Sequence, residues 1–236
     1  MTSRTTPVGI LVVALIGLIA VGCSAPTNAV FQALLDPAGT AAPAPEADPD
    51  VDPAPSGGAS QWWAHPDGYA MVLPAGWAAM AVAQNGTDEL IDLLSDTMPE
   101  LATRVEDTFA GTETRVSTVA AGPVNEDGSR SMMVVLAEPQ DGRKLHAIKS
   151  DAHERLKDLH GLSSRLTAQD VALTTGKGFR FDYAVDDPDL GALRVRSYLL
   201  RSGRTVYLVN FVASADPTTQ EEQWFDLITS SLRFGG

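Results

Sequence analysis

The chain has 236 residues, with 30 Asp and Glu against 17 Lys and Arg, a formal net charge of −13, 44% hydrophobic residues and a single Cys. One thiol excludes an intrachain disulfide scaffold, and the acidic balance argues against a nucleic-acid binder, which needs a basic face for phosphates. The length allows one or two domains of ordinary size.

The chain opens with MTSRTTPVGILVVALIGLIAVG, in which Arg4 precedes an apolar run from Val8 to Gly22. At about 15 residues the run is short for a membrane-spanning helix, which needs about 20. It reads instead as the h-region of a secretory signal peptide. The run ends in Ile19-Ala20-Val21-Gly22-Cys23-Ser24, and Cys23 is the only thiol. This stretch resembles the bacterial lipoprotein lipobox, in which small residues precede an acceptor cysteine, although Ala20 stands where that pattern prefers Leu. The resemblance implies that Cys23 receives a diacylglyceryl thioether and becomes the new N-terminus. Two or three acyl chains, at about 0.8 kcal/mol per buried methylene, would hold the protein stably on a membrane. The expected location is the cell membrane, lipid-anchored, on its extracytoplasmic face. Arg outnumbers Lys 13 to 4, a compositional hint of a GC-rich bacterial genome.

From Ser24 to Ser60 the chain is rich in Ala, Pro, Gly and Asp and contains no Lys or Arg. Such a segment buries too little apolar surface to offset the entropy of ordering it, so it reads as a tether. Asp48, Asp50 and Asp52 alternate as at the start of a calcium loop, but Pro53 and Ala59 occupy the positions that need Gly and a bidentate Glu. The chain is therefore divided into a lipoprotein signal peptide (1–22), a lipidated Cys with a disordered tether (23–60) and one globular domain (61–236). That domain is itself acidic, which disfavours attachment to an anionic leaflet through a basic patch.

Within the domain, Gly68 to Leu73 reads as a strand stopped by Pro74, and Trp77 to Val82 as its return strand in a hairpin. Leu90, Ile91, Leu94, Met98, Leu101 and Val105 recur at helical spacing, with Pro99 expected to kink or divide the helix. Thr114 to Ala120 and Ser131 to Ala137 are strand-like, and the second, apolar on both faces, is expected to be central. Ser150 is the predicted N-cap of a helix to about His160, stopped by Gly161. Gly178 to Val185, Ala192 to Leu200 and Thr205 to Ser214 follow as a strand meander, with Phe179, Phe181 and Tyr183 on one face. Asp216-Pro217 is predicted to open the last helix. Its stripe of Trp224, Phe225, Leu227, Ile228 and Leu232 should lie on the sheet, opposite Glu221, Glu222 and Asp226. The sum is an α+β fold, a mostly antiparallel sheet flanked by helices.

Two stretches carry a family resemblance. GYAMVLPAGW near the start of the domain, and TVYLVNFVASADPTTQEEQWFDLITSSLRF at its end, are similar to the entry and closing segments of PsbP-like domains and LpqN-type lipoproteins. The resemblance implies an α/β/α sandwich and a secreted, non-enzymatic accessory role in binding or assembly. It supplies no catalytic residue and no cofactor.

A search for chemistry returns little. His146, His153 and His160 are spaced by seven, but Ser150 as cap would take His146 off their helix, and Lys157 replaces the second ligand of an H-E-x-x-H pair. No G-x-S-x-G elbow occurs, and Cys23 is committed to the anchor. Asp186, Asp187 and Asp189 are an acidic cluster that either binds Ca²⁺ or forms a solvated turn, and their residue types favour the turn. Trp62, Trp63, Trp77 and Trp224 either line a ligand groove or pack in the core, which is the default for aromatics. Three functions follow: a membrane-tethered binding or assembly module with a lipid or envelope-protein partner; a lipid or glycolipid carrier with an apolar cavity; and, weakest, an envelope enzyme using dispersed acids such as Asp182 or Glu138.

Overall fold

The computed structural model describes residues 60–82, 114–125, 129–140, 142–159, 161–187 and 191–235, with isolated positions at 88, 91, 95, 103 and 106. Cys23 and the tether lie outside the described residues. The elements in chain order are β1 (Gln61–His65), β2 (Tyr69–Leu73), β3 (Ala78–Ala81), β4 (Arg115–Val124), β5 (Arg130–Pro139), α1 (Leu145–Lys157), β6 (Thr167–Leu173), β7 (Gly176–Asp187), β8 (Gly191–Ser202), β9 (Thr205–Ser214), α2 (Thr219–Ser231) and β10 (Arg233–Phe234). Among the described residues, seven strands form one sheet in the order β3-β4-β5-β9-β8-β7-β6, and β1-β2-β10 form a smaller one. Every strand pairing is antiparallel. The fold is α+β.

The large sheet separates two apolar layers. On one face Ile148, Ala152 and Leu156 of α1 pack with Val134, Leu136, Phe181, Tyr183 and Val195. On the other face Phe225 and Ile228 of α2 join Met71 and Leu73 of the small sheet against Met133, Val135, Val209 and Phe211. Alternation along β5 explains how one strand serves both layers, since successive side chains leave opposite faces. As expected, this apolar strand is interior, between β4 and β9.

Several boundaries differ from the sequence expectation. β2 and β3 do not form a hairpin: β2 pairs with β1 and β10, whereas β3 pairs with β4 in the other sheet. The turn from Pro74, closed by the Trp77 amide on the Pro74 carbonyl at 3.1 Å with Gly76 at φ 79°, passes the chain between layers. Trp77 then fills the interior at 3% exposure. Ser150 does not cap α1, which begins at Leu145 after Lys144, a residue without a side-chain cap. Ser150 Oγ donates to the His146 carbonyl inside the helix, so His146 is in its first turn. Burying Ile148 against the sheet repays starting the helix earlier, even without a cap. Gly161 does follow this helix: at φ +79° it brings its carbonyl to the Asp186 amide at 2.8 Å, and an added Cβ would meet the Asp186 oxygen at 2.7 Å. His160 is outside the described residues.

α2 is capped by Thr218 rather than Asp216. Thr218 Oγ1 accepts from the Glu221 amide at 3.2 Å while Glu221 Oε2 accepts from the Thr218 amide at 2.7 Å, a reciprocal capping box. Glu221, expected on the solvent side, is 1% exposed. Of the helix predicted after Thr87, positions 88, 91, 95, 103 and 106 are described and helical, with Ile91 packed against the α1-side core. Pro99 lies outside the described residues. Strands β1, β6 and β10 were absent from the sequence expectation. Among the described residues, no helix is long and apolar enough to cross a membrane.

Candidate functional site

The four tryptophans do not share one wall. Trp77 and Trp224 meet edge to face at 6.1 Å, and Trp77 also meets Phe225 at 6.5 Å, inside the layer beneath α2. Gly122 is required there, because a Cβ on it would lie 3.1 Å from the Trp77 ring. Trp62 and Trp63 are neighbours on β1 and so leave opposite faces. Trp63 contacts His65 and Tyr69 at 5.6 and 6.2 Å, whereas Trp62 stacks with the Arg233 guanidinium at 5.3 Å. Trp77 alone is core, Trp63 and Trp224 pack half-buried against the same layer, and Trp62 braces the small sheet.

The densest polar cluster joins the small sheet to β4, and sequence reading missed it entirely. His65 closes β1, Asp67 lies in the following turn and Tyr69 opens β2. Their partners are Arg115, Ser117 and Thr118 of β4, where the register with β5 shifts between Val116 and Thr118. The bulge frees the Ser117 carbonyl to accept from the Val82 amide and from His65 Nε2, both at 2.8 Å. His65 Nδ1 accepts from the Asp67 amide at 2.9 Å, which fixes the neutral Nε2–H tautomer. Arg115 pairs with the Asp67 carboxylate. Tyr69 Oη is hydrogen-bonded to Ser117 Oγ at 2.9 Å and to Thr118 Oγ1, and its ring stacks on His65 at 4.6 Å.

Ser117, His65 and Asp67 are the residue types of a hydrolase triad, with Ser117 Oγ 3.4 Å from His65 Nε2 and Asp67 Oδ2 3.5 Å from His65 Nδ1. The hydrogen bonding opposes that chemistry. His65 Nε2 holds its proton for a carbonyl, so it offers Ser117 no base, and Ser117 is fully buried where no substrate reaches it. The cluster acts as a fastening. Burial holds the His65 pKa below its ordinary 6.5, against the opposing pull of Asp67. A depressed histidine contributes stability fully above the unfolded value and loses it as pH falls through the folded one. Wild-type chain should therefore weaken to urea as pH drops below about 6.5, and His65→Gln should flatten that part of the profile. Parallel urea midpoints for the two proteins between neutral and mildly acidic pH would overturn this reading.

The remaining acids are mostly engaged. Asp182 is held between Arg180 at 2.7 Å and Arg196 at 2.8 Å, and Arg196 reaches α2 through Glu222 at 2.7 Å. This ladder ties β7, β8 and α2 together and places Asp182 in a structural role. Glu138 differs, because it lines a cleft with Leu136 of β5, Ile148 of α1, Leu199 of β8, and Val206 and Leu208 of β9. Burial raises its carboxyl above the ordinary range, partly offset by hydrogen bonds from Gln140 and Thr114. The cleft holds about 20 Å³, room for roughly one water molecule and far below the range of about 300–1,000 Å³ typical of ligand sites. It places one carboxylate where paired acid–base work needs two. Asp186 and Asp187 close β7, and Asp189 lies outside the described residues. Among the described residues, no three metal-ligating side chains converge.

No protein-family model matches the chain, and no curated protein matches it in sequence. Solved structures are similar in fold. The cyanobacterial PsbP protein, CyanoP, of Synechocystis matches at a TM-score of 0.48 and 14% identity, over 79% of this chain and 99% of its own. LpqN of Mycobacterium tuberculosis, described as involved in cell envelope biogenesis, matches at 0.40 and 12%, over 52% of this chain and 79% of its own. The Ran-binding protein Mog1p of Saccharomyces cerevisiae matches at 0.41 and 15%, over 74% of this chain and 95% of its own.

Proposed function

We propose that this protein is an extracytoplasmic lipoprotein that acts as a non-enzymatic binding or assembly module of the cell envelope, held on the membrane through Cys23. The observation that carries the reading is the single thiol, placed directly after an uncharged apolar run and before a Pro- and Asp-rich tether without Lys or Arg. The geometry of the domain supports it. The triad-like cluster is sealed, Asp182 is locked in an ionic ladder, and Glu138 stands in a cleft too small to enclose an acyl chain. What the domain offers a partner is surface, presented at the end of a spacer.

The test is metabolic labelling with an alkyne fatty acid, followed by membrane fractionation. Wild-type chain should carry the label and sediment with membranes; Cys23→Ala should lose the label, remain unprocessed and fail to reach mature size. Equal labelling and normal maturation of the variant would overturn the anchor. Crosslinking of the tethered protein should then recover envelope components that are absent from the Cys23→Ala sample.

A further inference from the structure

β6 ends the large sheet, and among the described residues no strand pairs with its outer side. Its seven residues, TAQDVAL, hold an unbroken register with β7 from Thr167↔Asp182 to Leu173↔Gly176. Natural sheet edges are usually blunted by Pro, Lys, a bulge or shortness, because a row of unpaired amides and carbonyls templates another strand. β6 has no Pro, Lys or bulge of its own, and its one charged side chain is Asp170, which Lys149 of α1 reaches. The opposite edge, β3, has only four residues.

The two faces of β6 specify what would fit. Val171 and Leu173 are half-buried and pack against the α2-side core, so a strand laid beside them would extend that apolar surface. On the other face Asp170 is 82% exposed at its side chain, even with Lys149 Nζ 2.9 Å away. Opposite charges directly across a strand pair stabilise it and like charges oppose it. β6 itself carries no Lys or Arg, and each copy of the chain has a net charge of −13, so a second copy is poorly matched.

We propose that the free edge of β6 is a docking edge for an extended segment of a partner protein that alternates apolar and basic residues, added as a further strand of the large sheet. The apolar residues of that segment lie beside Val171 and Leu173, and a basic residue lies opposite Asp170. Backbone hydrogen bonds supply the affinity, and this alternation supplies the selectivity. The proposal rests on the binding-module reading and names the partner's chemistry. Its test does not involve the anchor, so the two fail separately.

The experiment is amide hydrogen exchange on the full chain in detergent micelles, with an excess of a short peptide alternating Lys and Val and with its Glu–Val counterpart. The Lys–Val peptide should slow exchange across residues 167–173 and leave β1 and β3 unchanged; the Glu–Val peptide should protect weakly. Asp170→Asn should weaken binding of the Lys–Val peptide by about fivefold, and Asp170→Lys should reverse the preference. Asp170 is exposed, so both variants retain the fold. Unchanged exchange in β6, protection elsewhere, or equal binding of both peptides would overturn the proposal. So would a free chain that sediments as a dimer with β6 already protected, which would assign the edge to a second copy.

Discussion

Phe211→Ala should cost about 3–5 kcal/mol of folding stability, the range for deleting a fully buried aromatic ring. Phe211 sits on β9, the middle strand of the large sheet, at 0% exposure. Its ring stacks on Phe225 of α2 at 4.7 Å and meets Tyr198 of β8 edge to face at 6.0 Å. Removing it opens a cavity between sheet and helix that neither neighbour can close, because Tyr198 and the β9 backbone are fixed by the strand ladder. Phe225 would also lose the partner that orients α2. Val124→Ala is the control: at 46% exposure it should shift stability by less than about 0.5 kcal/mol. Urea unfolding followed by tryptophan fluorescence reads both. A loss below about 1 kcal/mol for Phe211→Ala would mean that the α2 layer collapses freely onto the sheet.

How much of this was legible in the sequence follows from where the signal is local. β7, β8 and β9 are long and alternate, and Phe181, Tyr183 and Val195 keep one face apolar throughout, so their existence and antiparallel order were readable. β6 was not, because an edge strand need bury only part of one face, and TAQDVAL shows no clear period. Helix starts were misplaced for a related reason. Ser150 and Asp216 are good caps in isolation, yet the burial of Ile148 and the reciprocal pairing of Thr218 with Glu221 decided the boundaries. Tertiary contacts of this kind leave no trace in a local window.

The polar clusters show the same limit more sharply. His65 and Ser117 are 52 residues apart, and the bulge that exposes the Ser117 carbonyl cannot be read from RVSTVAAGPV. Trp62, Trp63, Trp77 and Trp224 stand out in the sequence as one set of large aromatics, but only packing shows that Trp77 and Trp224 meet each other while Trp62 and Trp63 contact residues of the small sheet. The proposed anchor is the opposite case. An apolar run, small residues and one Cys form a contiguous pattern, so Cys23 needs no fold to be noticed.

Glu221→Ala should destabilise the protein by about 2–4 kcal/mol, the sum expected for losing a cap and leaving buried donors unsatisfied. Glu221 Oε2 takes the Thr218 amide, and Oε1 takes both Ser131 Oγ of β5 and Asn125 Nδ2 beside it. One carboxylate therefore fastens the start of α2 to the β4–β5 hairpin, across 90 residues of sequence. Burial alone would raise this carboxyl, but the hydrogen bonds from Ser131, Thr218 and Asn125 outweigh it and leave the pKa below the ordinary 4.5. A depressed carboxylate contributes fully above its unfolded value and loses that contribution as pH falls through the folded one. Glu221→Gln keeps the shape but replaces the charged acceptor, so it should cost less than Glu221→Ala near neutrality and should flatten the wild-type loss of stability below about pH 4.5. Chemical unfolding of the three proteins at neutral and acid pH separates these effects. If Glu221→Ala costs under about 1 kcal/mol, Phe225 and Ile228 alone hold α2, and the buried carboxylate serves to fix where the helix begins rather than how firmly it docks.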